Sequence, residues 1–480
     1  MKLSELLKDV TVKETVGGDA EVRDITTDSN AVVKGSLFIC IKGGNYNGGD
    51  FIRQVENYGG VAVVTQEKLD TSLTQVIVSD ARTAVCEIAA AFYGNAHKKM
   101  KIIGVTGTNG KTTTTHFITS ILTGAGIKCG LIGTLGVFYD GKFLEPTLTT
   151  PDPIELHRIF YEMALKGVEA VIMEISAHAA FFNKLHGIKF EVGVFTNLTQ
   201  DHLDFFGDMK NYKKAKLSFF DKNECRYIVA NGDDKAGREI AHAFKQKAIT
   251  FGILSPSDIF AIVISESDNG CNFILNLFDA VYKVTSNLIG RYNVYNALAA
   301  ATASALYGVS TYKVAAGIEG LKGISGRLEC VYEGDFSVYV DYAHTPDGLS
   351  ESLKTLKKHA KNRLICLFGC GGNRDAKKRP IMGKISGRLA DFTVITSDNP
   401  RYEEPMDIIW QVEEGLKDTG AAYVIVQDRE EAINYALKNA SRGDVVLIAG
   451  KGSEKYQDVF GVKRPFNDKE KVERYIRGLQ

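Results

Sequence analysis

Residues 102–114 have the sequence Ile-Ile-Gly-Val-Thr-Gly-Thr-Asn-Gly-Lys-Thr-Thr-Thr, which is an apolar run, a glycine-rich turn and a run of threonines. The β-branched apolar run is typical of a buried β-strand. The threonines are followed by Phe117, Ile118 and Ile121, which have the spacing of an α-helix. The stretch therefore predicts a strand, a phosphate-binding loop and a helix.

The glycines of this loop would let backbone N–H groups close around phosphate oxygens at the positive end of the helix. Lys111 would neutralise phosphate charge, and the Thr112 hydroxyl could ligate Mg²⁺. The general P-loop pattern has a glycine where this chain has Val105, so the match is to the shorter form Gly107-x-x-Gly110-Lys-Thr. We expect a nucleoside triphosphate site, and a glycine turn that only joins strand to helix is the alternative.

Composition limits the class of protein. A chain of 480 residues corresponds to roughly three domains. Basic and acidic residues are equal at 58 each, so no overall field attracts nucleic acid or an anionic membrane. The 8 cysteines form no CxxC pair, which is typical of free thiols in a reducing cytosol. We expect a cytoplasmic protein without membrane insertion or nucleic-acid binding.

Three blocks follow one another along the chain. Residues 1–97 contain short strands and helices, which predicts a small α/β domain, and its polar loops at 25–30 and 43–49 either bind a ligand or simply turn. Residues 98–325 alternate strands with helices, which favours a central P-loop domain with a mostly parallel sheet. Residues 326–480 predict a Rossmann-like α/β domain. The fold class is therefore a three-domain α/β protein.

Polar side chains stand where predicted strands end, which is where α/β sheets bind ligands. Glu174 and His202 follow two apolar runs of the central block, and with Thr112 they could hold Mg²⁺ against a triphosphate. Each of them alone is more commonly structural. Lys216 would repel a metal as an ammonium, so by itself it is better explained as part of a solvated helix face. Charged loops also end several strands of the last block, at 341–344, 371–375, 397–401 and 450–454.

Motifs along the whole chain resemble those of the Mur ligase family. In chain order they are Thr106-Gly-Thr-Asn-Gly-Lys-Thr-Thr113, Leu148-Thr-Thr-Pro151, Glu174-Ile-Ser-Ala-His178, Thr196-Asn-Leu-Thr-Gln-Asp-His-Leu-Asp204, Tyr212-x-x-Ala-Lys216, Gly290-x-Tyr-Asn293, Gly326-Arg-Leu-Glu329 and Asp341-Tyr-Ala-His-Thr-Pro-Asp347. Within the family, the Asp398-Asn-Pro-Arg401 loop and the Gly-Lys-Gly-x-Glu segment ending at Glu454 resemble the MurE-type branch. The form of that loop is similar to enzymes that add meso-diaminopimelate rather than L-lysine.

The resemblance implies an ATP-dependent ligase of peptidoglycan precursor synthesis. The carboxylate of UDP-MurNAc-L-Ala-D-Glu would attack the γ-phosphate of ATP, and the amine of meso-diaminopimelate would attack the resulting acyl phosphate. Two anions meet in the first step, which explains the need for Mg²⁺ and cationic side chains. The alternatives are an L-lysine-adding enzyme, a folylpolyglutamate synthetase-like ligase, and a P-loop ATPase or switch that only binds.

The resemblance also assigns the ATP site and the metal site. ATP would contact Gly107, Thr108, Asn109, Gly110, Lys111, Thr112, Thr113, Asn293, Arg327 and Asp341. The catalytic residues would be Lys111, Glu174, His202 and Lys216, and the Mg²⁺ ligands would be Thr112, Glu174, His202 and Lys216. In this family the lysine matched by Lys216 is carbamylated by CO₂, which would turn a cation into an anionic oxygen ligand.

The remaining assignments concern the other substrates. The UDP-MurNAc-dipeptide would meet Ser29, Asn45, Thr149, Thr150, Ser176 and Lys184. Diaminopimelate would meet Arg374, Asp398, Asn399, Pro400, Arg401, Gly450 and Glu454. A guanidinium at Arg401 suits the distal carboxylate and Glu454 suits the distal ammonium. We expect a monomer whose partners are these small molecules.

Overall fold

The computed structural model describes residues 1–44, 46–145 and 147–478. Internal contacts divide the chain into two compact units. The first unit consists of Met1–Thr106, Gly126–Val194 and Ala215–Ile228, and the second of Gly107–Ala125, Phe195–Lys214 and Val229–Gln480. The predicted α/β fold class is confirmed. The domain boundaries after residues 97 and 325 stay a prediction.

Strands and helices alternate along most of the chain. The strands are β1 (Val12–Val16), β2 (Asp24–Thr26), β3 (Ser36–Ile39), β4 (Ala62–Thr65), β5 (Thr74–Val78), β6 (Lys101–Thr106), β7 (Cys129–Gly133), β8 (Gly136–Tyr139), β9 (Lys142–Leu144), β10 (Ala170–Ile175), β11 (Phe190–Phe195), β12 (Cys225–Asn231), β13 (Ala248–Gly252), β14 (Ile259–Ser267), β15 (Gly270–Leu277), β16 (Ala280–Ser286), β17 (Glu329–Glu333), β18 (Ser337–Asp341), β19 (Leu364–Phe368), β20 (Phe392–Ile395), β21 (Tyr423–Ile425), β22 (Val445–Ala449), β23 (Tyr456–Val459) and β24 (Val462–Pro465). The helices are α1 (Leu3–Leu6), α2 (Ile52–Asn57), α3 (Ala81–Phe92), α4 (Lys111–Gly124), α5 (Pro153–Leu165), α6 (Ala177–Phe181), α7 (Leu203–Phe206), α8 (Met209–Lys222), α9 (Lys235–Ala243), α10 (Arg291–Tyr307), α11 (Thr311–Gly320), α12 (Pro346–Lys357), α13 (Lys378–Leu389), α14 (Pro405–Lys417), α15 (Arg429–Lys438) and α16 (Asp468–Arg477). Short 3₁₀ helices cover Ser29–Ala31, Gly48–Phe51 and Ala96–Lys99.

The amino-terminal sheet of the first unit has the strand order β1-β5-β4-β3-β2. Strands β2 to β5 are parallel, and β1 pairs antiparallel with β5. Residues of α1 and α3 pack against one face of this sheet, and residues of α2 against the other. Because both faces are covered, β3 and β4 are buried along their whole length. The short strands predicted for this part of the chain are therefore confirmed.

Strands of the first unit also follow one another in the order β11-β6-β10-β7-β8-β9 as part of a larger sheet. Strand β10 runs parallel to β6 and β7, whereas β7, β8 and β9 form antiparallel hairpins. Residues 102–106 of β6 and all of β10 are buried, so apolar residues follow one another along both strands, with Thr106 and Glu174 as the polar exceptions near their carboxyl ends. A Cβ on Gly104 would lie 2.8 Å from Phe219 Cζ, which explains a glycine within this strand.

In the second unit, β14, β15 and β16 form an antiparallel meander, and β13 pairs parallel with β14. Helices α10 and α11 pack against these strands and against α4. The mostly parallel sheet predicted for residues 98–325 is confirmed, and the antiparallel meander was not predicted. Its strands carry alternating buried and exposed residues because one sheet face is covered and the other meets solvent.

The carboxyl-terminal sheet of the second unit has the order β17-β18-β22-β19-β20-β21. All neighbouring pairs are parallel except β17 with β18. Helices α12, α13 and α14 cover one face, and α15 and α16 cover the other. The predicted Rossmann-like arrangement is therefore confirmed, and the carboxyl ends of β18, β22, β19 and β20 lie along one sheet edge. None of the helices in the described residues is both long and apolar enough to cross a bilayer.

Two histidines pack against each other inside the first unit. The rings of His97 and His157 have centroids 5.0 Å apart and are 5% and 1% exposed. Neither His97 Nδ1 nor His157 Nε2 has a hydrogen-bond partner within the described residues. Burial lowers the pKa of His97 to about 4 and that of His157 to about 3. Both imidazoles are therefore neutral in the folded protein at neutral pH.

This pair predicts an acid-sensitive stability. An unfolded histidine with a pKa of about 6.5 takes up a proton below that pH while the buried ones do not, so the free energy of unfolding is fully retained above about pH 6.5 and falls as the pH drops towards the folded pKa values. In His157→Phe, the loss of unfolding free energy between pH 7 and pH 5 should be smaller by about 2 kcal/mol. Urea unfolding at the two pH values measures this, and the exposed His242→Phe should behave as wild type. An unchanged pH dependence in His157→Phe would contradict the assignment.

Candidate active site

The phosphate loop directly follows β6 in the chain, and α4 begins at Lys111, so the predicted strand, loop and helix are confirmed. Gly107 and Gly110 have φ angles of +145° and +85°, which favour glycine. A Cβ on Gly107 would lie 1.9 Å from Thr196 Oγ1. The loop therefore leaves no room for a side chain at Gly107.

The segment after β11 braces this loop. Thr196 Oγ1 donates a hydrogen bond to the Asn109 carbonyl (2.7 Å), and the Asn109 N–H donates to Asn197 Oδ1 (2.9 Å). The Thr108 N–H donates to the Asn197 carbonyl (2.9 Å). These bonds hold the loop backbone in one conformation, which pre-organises its remaining N–H groups for an anion.

Two cations lie against the loop. Lys111 Nζ donates to the carbonyls of Gly107 (3.0 Å) and Thr108 (2.8 Å). Arg327 Nη2 donates to Thr112 Oγ1 (2.8 Å), and its Nε is buried without a hydrogen-bond partner in the described part of the chain. A buried donor of this kind next to an ammonium suits a phosphate group. Lys111, predicted at the ATP phosphates, and Arg327, predicted at the nucleotide, thus both contact this loop.

Asp341 points into the protein rather than towards the loop. Its Oδ1 accepts from the N–H groups of Leu328 and Tyr342, and Ser352 Oγ donates to Oδ2. Burial raises the pKa of Asp341, and the bond from Ser352 opposes that rise. In this structure Asp341 therefore anchors the residue after Arg327.

Asn293 is likewise hydrogen-bonded within the protein, to a residue of its own helix and to one just before that helix. Its Nδ2 donates to the Ile289 carbonyl (2.8 Å), and its Oδ1 accepts from Asn296 Nδ2 (3.0 Å). Asn296 is closer to the phosphate loop, since a Cβ on Gly110 would lie 2.3 Å from Asn296 Oδ1. Asn296 was not predicted, although it lies one helical turn after the Gly290-x-Tyr-Asn293 motif.

Asp201 organises the region around His202. His202 Nε2 lies 3.3 Å and His344 Nε2 3.7 Å from Asp201 Oδ2, and Lys378 Nζ lies 3.4 Å from Oδ1. Burial raises the pKa of Asp201, but the hydrogen bond from His344 and the charges of Lys378 and His202 outweigh it, so the pKa is well below its usual value. An ionised Asp201 can therefore fix the orientation of the His202 ring.

In the first unit, Thr134 gathers several predicted residues. Its N–H and Oγ1 donate to the two carboxylate oxygens of Glu174 (2.9 and 3.1 Å), and its Oγ1 is 3.1 Å from Thr149 Oγ1. Thr150 Oγ1 donates to the Glu174 carbonyl (2.8 Å) and accepts from the Ser176 N–H (2.9 Å). Glu174, Thr149, Thr150 and Ser176 are thus brought together, and Thr134 itself was not predicted.

The other predicted residues of the first unit are more scattered. Lys184 Nζ forms an ion pair with Asp152 Oδ1 (2.5 Å). Ser29 is buried in a 3₁₀ helix, and Asn45 lies outside the described residues. Lys216 lies on α8 and is 2% exposed.

The chemistry of the predicted metal ligands fits a hard divalent cation. Within residues 1–44, 46–145 and 147–478, no three or more His, Cys, Asp or Glu side chains form a cluster that could hold a metal. The predicted set instead combines the Thr112 hydroxyl, the Glu174 carboxylate, the His202 imidazole and a modified Lys216. Glu174 is buried and held by Thr134, so its carboxylate is oriented before a cation arrives. Hydroxyl and carboxylate oxygens are the donors that Mg²⁺ prefers.

The loops after β19, β20 and β22 converge because these strands are parallel neighbours. Asn399 Nδ2 donates to Glu454 Oε2 (2.9 Å), and Arg401 Nη1 donates to the Gly372 carbonyl (2.7 Å). A Cβ on Gly450 would lie 2.6 Å from Asp398 Oδ2. The structure therefore brings together the residues predicted for diaminopimelate. Arg374 is exposed beside them, and its Nη1 donates to the carbonyl of Asn373 (3.3 Å).

Comparison with known proteins identifies the family. Residues 105–304 match the Mur ligase middle domain, and residues 326–452 match the Mur ligase glutamate ligase domain. A UDP-N-acetylmuramoyl-L-alanyl-D-glutamate--2,6-diaminopimelate ligase from Geobacillus thermodenitrificans is 42% identical over 461 residues, which is 94% of each chain. The chain belongs to the Mur ligase family.

Two further diaminopimelate ligases match over the whole length of this chain. The 2,6-diaminopimelate ligase 1 from Clostridium acetobutylicum is 42% identical over 486 residues, which is 100% of each chain. The solved structure of another 2,6-diaminopimelate ligase has a TM-score of 0.71 and 30% identity, and the match covers 100% of this chain and 99% of that one. The family predicted from the motifs is confirmed, and the chain is an enzyme of the ligase class.

Some residues of this Mur ligase site were not predicted, although motifs contained several of them. Lys451 is 0% exposed, and its Nζ donates to Asn399 Oδ1 and Glu454 Oε2 (both 2.9 Å). Lys451 lies within the Gly-Lys-Gly-x-Glu segment, so that motif could have indicated it as a residue of the site. Arg429 forms a fully buried ion pair with Asp468 (2.7 Å), and no local pattern marks either residue.

Proposed function

We propose that this Mur ligase joins meso-2,6-diaminopimelate to UDP-N-acetylmuramoyl-L-alanyl-D-glutamate with ATP, in the cytoplasmic synthesis of peptidoglycan precursors. One observation carries the proposal for the amino acid: the loops after β20 and β22 present the guanidinium of Arg401 and the carboxylate of Glu454 at one sheet edge. These are the charges opposite to those of an amino-acid end. The names of the full-length relatives support the same substrates.

The proposed reaction has two chemical steps. A carboxylate oxygen of the acceptor attacks the γ-phosphorus of ATP, the bond to the bridging oxygen of ADP breaks, and an acyl phosphate forms. The amine nitrogen then attacks the acyl carbon, inorganic phosphate leaves, and the nitrogen loses a proton. An amine does not displace oxide from a carboxylate at neutral pH, so ATP must first supply a leaving group.

The residues around the loop would neutralise the charge that accumulates in the first step. We propose that the ammonium of Lys111 and the guanidinium of Arg327 bind phosphate oxygens of ATP in place of their present acceptors in the protein. Mg²⁺ would be held by Thr112, Glu174, His202 and a carbamate on Lys216, and it would lower the repulsion between the two anions. Asp201 would orient His202 for this role.

The amino-acid loops would distinguish diaminopimelate from L-lysine. A guanidinium fork pairs with a carboxylate through two hydrogen bonds, and Arg401 already has one N–H fixed on the Gly372 carbonyl. Lysine lacks the distal carboxylate, so its binding would leave the Arg401 charge without a partner. The enzyme would therefore select against L-lysine, because the lysine complex leaves the Arg401 guanidinium unpaired.

Arg401→Ala tests this role. We expect the KM for diaminopimelate to rise by about 10- to 100-fold, because charge-assisted hydrogen bonds are lost, while the KM for ATP stays unchanged. Steady-state kinetics with each substrate varied in turn measures the effect. Arg442→Ala removes an exposed guanidinium elsewhere in residues 326–480, and its KM values should match those of wild type. An unchanged KM for diaminopimelate in Arg401→Ala would count against the assignment.

One assay separates the candidate functions. Phosphate release from ATP is measured with UDP-MurNAc-L-Ala-D-Glu and either meso-diaminopimelate, L-lysine or no amino acid. The proposal expects release that depends on both the acceptor and meso-diaminopimelate. Faster release with L-lysine would indicate the lysine-adding enzyme. Release that ignores acceptor and amino acid would indicate an ATPase.

The assignment of one substrate to each of the three blocks of the chain is also a proposal. Residues 1–97 would bind the UDP end, residues 98–325 the ATP, and residues 326–480 the amino acid. Contacts of the loop residues Asn109 and Thr112 with Asp347 and Arg327 support a nucleotide site completed by the last block. We also propose that the enzyme is a monomer, which light scattering at the assay concentration would test.

A further inference from the structure

A buried ammonium lies directly behind the proposed amino-acid site. Lys451 follows β22 by two residues, and its side chain is 0% exposed. Its Nζ donates to Glu454 Oε2 and to Asn399 Oδ1, both at 2.9 Å, and lies 5.8 Å from the centre of the Tyr456 ring. A fully buried side chain of this kind cannot itself reach a ligand in the open part of the site. It acts on the residues that can.

The contacts of Lys451 determine which groups remain for a ligand. Glu454 Oε2 accepts from both Lys451 and Asn399, whereas Glu454 Oε1 has no hydrogen-bond partner among the described residues. The Glu454 side chain is 24% exposed. Asn399 is fixed as well, because its Oδ1 also accepts from the Asp458 N–H (3.0 Å). One carboxylate oxygen is therefore held from behind and the other is free to accept a donor.

Lys451 is the cation that forms an ion pair with Glu454 at this site. The neighbouring buried cation, Arg429, is committed to Asp468 through two hydrogen bonds of 2.8 and 2.7 Å. Removing the Lys451 ammonium would leave Glu454 Oε2 with the Asn399 amide as its donor, and it would remove a cation that lowers the pKa of the buried Asp398. A carboxylate that loses its cationic partner favours protonation or rotation away. Either change would spoil Glu454 as an acceptor for a cationic group.

We propose that Lys451 is a positioning residue that holds Glu454 in place to accept the second ammonium of a diamino acid, and so sets the preference for that ammonium. This inference rests on the proposed function. The inference extends that function, because selectivity for the second ammonium then depends on a residue that the substrate does not touch. Glu454, which would bind the substrate, and Lys451, which would orient Glu454, lie three residues apart in one loop.

The test crosses a protein change with a substrate change. Wild type and Lys451→Met are assayed with meso-diaminopimelate and with L-2-aminopimelate, which keeps both carboxylates and the reacting amine but lacks the second amine. We expect the variant to raise the KM for diaminopimelate by about 10- to 100-fold, through loss of a charge-assisted contact. The KM for 2-aminopimelate should change by less than about threefold, since that substrate never used the contact.

Controls separate positioning from general damage. Lys438→Met makes the same change at an exposed site elsewhere in residues 326–480, and its KM values for both substrates should match those of wild type. ADP affinity and the unfolding midpoint of Lys451→Met report on the rest of the molecule. Lys451→Gln keeps a buried N–H donor without the charge, and it is measured in the same way if Lys451→Met does not fold. We expect it to lose the preference in the same direction.

The outcomes are distinct. Equal rises in both KM values would overturn the inference, since they indicate a structural role for Lys451. Unchanged KM values in a folded variant would also overturn it. A wild-type enzyme that turns over neither substrate would instead refute the proposed function.

Discussion

The Lys216→Ala enzyme is expected to lose ligase activity by about 100-fold or more, and to regain part of it when a short carboxylic acid is added. Lys216 lies on α8 and is 2% exposed. A neutral amine can attack CO₂, forming an N–C bond and releasing a proton, and the product is an anionic carbamate. On Lys216 such a carbamate would supply oxygen ligands for Mg²⁺, whereas an ammonium would repel the metal.

The measurement is ADP release with saturating substrates, with and without acetate or formate. Lys214→Ala, an exposed lysine on the same helix, should keep wild-type activity and show no response to the acid. Carbon-13 NMR with labelled bicarbonate gives a second readout, since the carbamate signal should appear in wild type and be absent in Lys216→Ala. Full activity of Lys216→Ala without added acid would remove the carbamate from the mechanism.

Gly107→Ala is expected to lower kcat/KM for ATP by about 100-fold, because a displaced phosphate loop misplaces the reacting group. Gly107 has a φ of +145°, which L side chains rarely adopt, and its Cβ would lie 1.9 Å from Thr196 Oγ1. The loop would have to move away from Thr196 and from Asn197. Those contacts hold the backbone that receives the phosphates.

A second glycine in the same segment provides the matched control. Gly124 ends α4, and a Cβ there would meet no atom within 4 Å. Gly124→Ala should therefore keep nucleotide affinity and gain about 0.5–1 kcal/mol of unfolding free energy, because alanine restricts the unfolded chain. Calorimetric titration with ADP and urea unfolding measure the two effects. Equal ADP affinity of Gly107→Ala and wild type would show that the loop is not the phosphate site.

Local patterns were sufficient for much of the fold. The apolar run before Gly107 predicted β6, and the spacing of Phe117, Ile118 and Ile121 predicted α4, because burial on one or both faces leaves a period in the sequence. The polar residues after β20 and β22 were predicted to meet because parallel strands end at the same sheet edge. The meander β14–β16 was missed, because the exposed face of β14 also carries apolar residues, Phe260, Ile262 and Ile264, so polar and apolar residues do not alternate there.

The amino-acid sequence by itself determined the phosphate loop, the α/β class and the family, because these depend on glycines, apolar periodicity and motifs that are local in the chain. Only the tertiary structure decided which side chains support the site. Arg327 reaches Thr112 across 215 residues, and Lys378 reaches Asp201 across 177. Such pairs depend on strand order and on how loops converge. Their partners are therefore chosen by three-dimensional packing, which no window of neighbouring residues contains.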